Sequence, residues 1–164
     1  MAPFFLCVYP IRRWNAQLIV FVFPELSLTG CTCGDLFFQQ TLLEKAEQAL
    51  QKLLDVSVDL NVIGIVGMSL LFNGLLYNVA VVFHKGRIYG VVPKSCTQNI
   101  REVNEQRWFS VGSTISENAE INLCGQQVVI DSNMLFRTKT TCFAIEFGSD
   151  LYAVVSPSSY HVLN

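Results

Sequence analysis

The sequence predicts an α/β fold, and three observations carry that prediction. Between Thr41 and Leu54 the apolar residues recur at helical spacing. From Asn61 to Phe83 no residue is charged, yet Asn73-Gly74 interrupts the run as a hairpin turn. Twice, finally, an apolar run meets a proline and then an ionisable residue, as Phe23-Pro24-Glu25 and as Val92-Pro93-Lys94. Proline lacks the N–H a sheet ladder needs, so each proline ends a strand and delivers a charge to the sheet rim. In α/β folds that rim is where ligands sit.

Taken in order, Met1 to Pro10 reads as a short apolar strand broken by Pro10. Arg12 and Arg13 follow the apolar part instead of preceding it, the wrong order for a secretory signal, so the expectation is cytoplasmic. Leu18–Phe23 reads as a buried strand that stops at Pro24. Glu25 beyond it is either a solvated loop charge or a functional carboxylate. A loop follows through Cys31-Thr32-Cys33-Gly34-Asp35.

Thr41 with Glu44 has the spacing of a capping box, which opens the clearest helix of the chain. Helix formation is expected to begin as early as Asp35. Leu42, Leu43, Ala46, Ala49, Leu50, Leu53 and Leu54 share one face, and Glu44, Lys45, Glu47, Gln48, Gln51 and Lys52 the other. This is a helix laid on a sheet. The uncharged run is long enough to raise a membrane helix. Gly64, Gly67, Asn73-Gly74 and the β-formers Ile63, Ile65, Val79, Val81 and Val82 argue for strands instead. With a further turn at Lys85-Gly86, the region reads as a meander of Val62–Phe72, Leu75–Phe83 and Arg87–Val92.

Composition bounds the rest. The 164 residues make one domain, 51% hydrophobic and 15% charged, which excludes disorder. A mean hydropathy of +0.40 suggests large buried sheets, an extensive partner interface, or part of a larger domain. A net charge of -2 gives no electrostatic case for nucleic acid. Of the six cysteines, Cys7 and Cys142 read as small core residues, and Cys31-Thr32-Cys33 lacks a second ligand pair, so no metal is expected. His84 and His161 lie far apart and suggest no site. The rim residues Glu25 and Lys94, if adjacent, would serve as general base and oxyanion stabiliser, or merely as a surface ion pair.

The stretches Val22–Gly30, Thr32–Gln40, His84–Ile88, Val91–Ser95, Arg101-Glu102, Arg107-Trp108-Phe109 and Pro157–His161 together resemble the glutaminase domain of bacterial glutamine-dependent NAD synthetases. These belong to the nitrilase (carbon–nitrogen hydrolase) superfamily. The resemblance runs in order over most of Leu18 to His161. It implies an α-β-β-α sandwich, here in part, in which a cysteine thiolate attacks the glutamine side-chain amide to give a thioester and ammonia. The ammonia serves a separate synthetase domain that amidates deamido-NAD. On this sequence the resemblance makes Glu25 the general base, Lys94 the oxyanion stabiliser and Glu105 the supporting carboxylate.

The nucleophile does not carry over. The register of Phe143-Ala144-Ile145-Glu146-Phe147 puts Gly148 at its position, and glycine cannot form an acyl-enzyme. Ser149 and Cys142 are near in sequence but placed for neither role. Cys31 stands where the family has tyrosine, Cys96-Thr97-Gln98 replaces aromatic-Leu-Pro, and Ile100, Val103 and Asn104 replace aromatics. The expectation is a single truncated domain over 1–164, without the synthetase domain and with amidase activity lost. Glutamine is its partner if the pocket survives, and no cofactor, nucleic acid or membrane is expected. The alternatives are an amidohydrolase with another nucleophile, or an interaction module or decayed remnant associating through an exposed sheet. Such association would join it to itself or to a full-length synthetase.

Overall fold

A computed structural model describes residues 6–10, 19–97, 99–100, 103–139 and 141–163. Leu18, Arg12, Arg13, Gln98, Arg101 and Glu102, and the first five residues, lie outside that set. The meander forms as read: β3 (Val62–Phe72), β4 (Leu75–His84) and β5 (Arg87–Pro93) pair antiparallel in sequence order. Both turns take the left-handed conformation at two successive residues, Asn73 and Gly74 (φ 49 and 78) and Lys85 and Gly86 (φ 49 and 75). That backbone matches the twist of the strands it joins. A third such pair, Cys124 and Gly125, closes the hairpin of β8 (Ala119–Leu123) and β9 (Gln126–Ile130), which sequence reasoning left unread.

Two more strands complete the picture near the amino terminus, β1 (Leu6–Pro10) and β2 (Ile19–Val22). The larger sheet has six strands in the order β2-β3-β4-β5-β9-β8, with β2 parallel to β3 and β5 parallel to β9. The smaller has three, β1 and β10 (Phe136–Arg137) flanking β11 (Cys142–Phe147). A two-strand ribbon, β6 (Asn99–Ile100) with β7 (Val103–Asn104), stands apart.

Strand alternation sorts the core into two layers. On one face of the larger sheet Val66, Met68, Leu70, Tyr77, Val79, Val81 and Phe83 pack against Ala46, Leu50 and Leu54 of helix α1 (Gln40–Ser57). On the other, Ile63, Ile65, Ala80, Val82 and Val92 meet Phe136, Phe143, Ile145 and Phe147 of the smaller sheet. Each fully buried side chain of this kind contributes roughly 1.5–3 kcal/mol. Ala144 and Glu146 point away from that interface, and helix α2 (Pro157–Leu163) packs there, Ser158 N–H donating to Glu146 Oε1 at 3.3 Å. The layers therefore run helix, sheet, sheet, helix, which is the expected sandwich.

Four local expectations need correction. The chain before β3 enters its helix at Gln40, with Gln39 as an N-cap that makes no side-chain bond, so Thr41 and Glu44 form no capping box. Glu44 Oε1 instead accepts from Gln40 Nε2 at 3.3 Å. Asp35 belongs to a separate 3-10 turn, Gly34–Phe38, that breaks at Gln39 because that residue is extended. Strand β2 is not buried: Phe21, Val22 and Phe23 are 54%, 41% and 41% exposed, because β2 is an edge strand of the larger sheet. Cys142 is half-buried at the start of β11, not a core residue, and the side chain of Cys7 lies outside the described set. As for the uncharged run, it forms a strand hairpin, and no described helix is long and apolar enough to cross a membrane.

Candidate active site

Glu25 reaches the interior because the chain leaves β2 in a tight turn. Phe23 N–H makes a last rung to Ile65 O at 2.9 Å, and Pro24 offers no donor for another. Leu26 then takes a left-handed conformation (φ 54), which strains a non-glycine residue by roughly 1–2 kcal/mol. Leu28 N–H returns to Gly67 O at 3.1 Å, closing the turn over β3. Gly67 is what permits this approach. A Cβ there would stand 2.5 Å from Leu26 N, 2.8 Å from Pro24 O and 2.9 Å from Glu25 Cα. Those neighbours are backbone and cannot swing aside. Gly67→Ala is therefore expected to lower stability by about 1–3 kcal/mol, read by urea unfolding.

Lys94 follows Pro93 at the end of β5, and its N–H donates to Asn78 O on β4 at 2.9 Å. Its side chain is only 1% exposed. The ammonium donates to Glu25 Oε1 and to Glu105 Oε1, each at 2.7 Å. All three predicted side chains thus meet, and all three are buried. The surface-ion-pair alternative is excluded by that burial. Asn78 Nδ2 also donates to Glu25 Oε1, at 2.5 Å.

Glu105 opens a short 3-10 turn, Glu105–Arg107, that is anchored from outside. Arg107 Nε and Nη2 donate to the two carboxylate oxygens of Asp35 at 2.8 Å, and Trp108 Nε1 adds a bond to Oδ1 at 2.9 Å. These bonds, Arg107 first and Trp108 second, hold the exposed Asp35 down to about 2. Beneath them Phe37 packs edge-on against Phe109, with ring centres 4.8 Å apart.

The end of β11 joins the same rim. Lys94 Nζ lies 5.9 Å from the centre of the Phe147 ring, and Gly148 comes directly after. Asp150 ties this segment to the one after Lys94. Its Oδ1 accepts from Cys96 N–H at 2.9 Å, and its Oδ2 from Phe147 N–H at 3.3 Å. Burial pushes Asp150 above the ordinary carboxylate range. Ser149 Oγ is buried without a partner among the described residues. Cys142 begins β11, so it stands roughly 16 Å back along the strand, at the opposite rim. Cys96 is nearer, but burial, and then Asp150, push its thiol up, which disfavours the reactive thiolate. Cys31 is exposed, and Cys33 Sγ is bonded to Thr29 O. Asn104 ends β7 next to Glu105, while the side chains of Ile100 and Val103 lie outside the described set.

The electrostatics suit acid–base work. Burial drives the Glu25 carboxyl above its ordinary range, Lys94 pulls it back, and Glu105 pushes it up again. A carboxylate tuned upward is a stronger base than one in water. The ammonium beside it is a fixed positive charge in a site shielded from solvent, as oxyanion stabilisation requires. Among the described residues no cluster of His, Cys, Asp and Glu could hold a metal.

Sequence reasoning missed Asn78, Asp150 and the Asp35–Arg107 anchor. Asn78 carried a signal: it is the one amide inside the otherwise apolar interior of β4. A buried amide needs a partner.

No family model matches the chain. It is similar to the glutamine-dependent NAD(+) synthetase of Mycobacterium tuberculosis H37Rv, 35% identical over 141 residues, covering 84% of this chain and 20% of the relative. The synthetase of Aquifex aeolicus is 29% identical over 154 residues, covering 93% and 26%. Among solved structures, a glutamine-dependent NAD(+) synthetase from Cytophaga hutchinsonii superposes with a TM-score of 0.62 over 75% of this chain and 20% of that one. At 21% identity that likeness shows the fold. The corresponding enzyme from Acinetobacter baumannii gives 0.52 at 27% identity, over 68% and 20%. The chain spans about a fifth to a quarter of the length of these relatives.

Proposed function

We infer that this chain, a relative of the N-terminal glutaminase region of glutamine-dependent NAD synthetases, carries a glutamine amidohydrolase site whose attacking group is missing. The observation that supports this most is the buried Lys94 bridging Glu25 and Glu105 at 2.7 Å on each side. A structural ion pair has no need of a second buried carboxylate. A base, an oxyanion donor and a carboxylate that fixes the donor together make a frame for attack on an amide.

In the complete reaction a thiol would lose its proton to Glu25 as its sulfur bonded to the amide carbon. Lys94 would face the oxygen that takes the charge. The C–N bond would then break, the nitrogen leaving as ammonia with the proton from Glu25, and water would hydrolyse the thioester. At Gly148 no side chain supplies the sulfur. The unmodified chain therefore keeps the frame of a glutaminase site without the group that turnover needs. The role of ammonia donor to a synthetase belongs to the whole relatives and is proposed here only for a chain whose nucleophile has been restored.

The test is ammonia release from glutamine by the unmodified chain and by Gly148→Cys, both on material that unfolds cooperatively. Release only by the variant supports the reading. Release by the unmodified chain would place the nucleophile elsewhere, and silence in both would remove the glutaminase reading.

A further inference from the structure

We propose that Asn78 is the positioning residue of this site, a clamp that holds Glu25 and Lys94 together and decides which oxygen of Glu25 takes the proton. The proposal rests on reading Glu25 as a base. It starts from a coincidence of contacts on one residue. Asn78 sits in the middle of the larger sheet, on β4, opposite Ser69 of β3, and is almost wholly buried. Its backbone carbonyl accepts the Lys94 N–H at 2.9 Å, and its side-chain Nδ2 donates to Glu25 Oε1 at 2.5 Å. One residue thus touches both charged partners, 53 positions from Glu25 in sequence.

The clamp has a chemical consequence. Asn78 Nδ2 and Lys94 Nζ both donate to the same oxygen, Oε1. No described residue bonds to Oε2. With two donors on Oε1, the lone pairs left for an incoming proton are on Oε2. An amide suits this task better than a second cation. It directs the carboxylate without adding charge beside Lys94, and its hydrogen bond to the charged form works against the upward push of burial on Glu25. The charged groups that face Glu25 here are Lys94, which donates to it, and Glu105, which accepts from the same ammonium.

The experiment is a carbon-13 NMR titration of the glutamate carboxyls in the full chain, with the Glu25 signal assigned by its loss in Glu25→Gln. In Asn78→Leu, which keeps the shape and removes the donor, the Glu25 midpoint is expected to move to higher pH. Ser69→Ala, a change at the facing position that has no bond to Glu25, is expected to leave it in place. An unmoved midpoint in a folded Asn78→Leu overturns the clamp. Should that variant fail to fold, Asn78→Ser is read in the same way, because its hydroxyl is too short to reach. In the Gly148→Cys background, Asn78→Leu is expected to lower kcat about tenfold or more with KM within about twofold, since positioning acts on the chemical step. The titration asks nothing of catalysis. A silent Gly148→Cys protein would therefore defeat the glutaminase reading, and only an unmoved midpoint would defeat the clamp.

Discussion

Gly148→Cys is expected to release ammonia from glutamine at a rate at least about a thousandfold above the unmodified chain. Removing a nucleophile from an otherwise intact hydrolase site typically lowers kcat by about a millionfold, and restoring one by mutation recovers part of that loss. The recovery is partial because the site must also hold substrate, and Cys31 and Cys96 stand at positions where the resemblance leads one to expect an aromatic wall. The expected signature is thus a raised KM with measurable turnover. Adding Glu25→Gln to the same variant should remove about two to four orders of magnitude of that rate, the usual worth of a positioned base. Turnover that survives Glu25→Gln would mean that the proton goes elsewhere.

Lys94→Met is expected to be the most destabilising single change in the site. It leaves two buried carboxylates facing each other without the ammonium that bridges them at 2.7 Å. Breaking a buried pair from one side costs about 3–5 kcal/mol, because the carboxylates left behind lose their shared counter-ion in a site shielded from water. The loss should depend on pH in a definite sense. Burial raises Glu25 above its ordinary value of 4.5 in the folded state, so its contribution to stability is fully present below that value and is lost as pH rises through the folded one. Removing Lys94 takes away the charge that pulls Glu25 down, which raises it further. The gap between Lys94→Met and the unmodified chain should therefore be wider at pH 8 than at pH 5 by urea unfolding. A gap under about 1 kcal/mol at pH 8 would mean that Lys94 is not the counter-ion the geometry describes.

Much of this arrangement was legible in the residues themselves. The meander was written in turn chemistry, since Asn73-Gly74 and Lys85-Gly86 both admit the left-handed backbone a tight hairpin needs. Two prolines that end strands put Glu25 and Lys94 each at a sheet rim, while their meeting at 2.7 Å depends on strand order, which the residues do not declare. What stayed hidden depends on pairings between distant segments. Nothing near Phe21 says that β2 lies at an edge, so an apolar run read as buried turned out half in solvent. Thr41 and Glu44 have the spacing of a capping box, but the preceding turn ends at Phe38 and moves the helix start to Gln40. The Cys124-Gly125 turn was missed because cysteine is a rare occupant of the left-handed position. Glu105 needed the family resemblance, and Asn78 needed the coordinates, since a single amide in a strand does not announce its partner.

The parallel join of β2 to β3 has a consequence for how the molecule comes into being. The β3–β4–β5 meander closes through two-residue turns, whereas pairing Ile19 with Val62 requires the whole of α1 and its flanking loops to be gathered first. Loop closure of that span is entropically dearer than a hairpin, so local pairs form early and the distant one late. Lys94 and Asn78 both belong to the early unit, and Glu25 arrives with the late one. The ion cluster is therefore assembled at the end of folding, as the seal on a sheet already built. In a φ-value series this order gives high values for conservative substitutions in the β3–β4 hairpin and values near zero for Glu25→Gln.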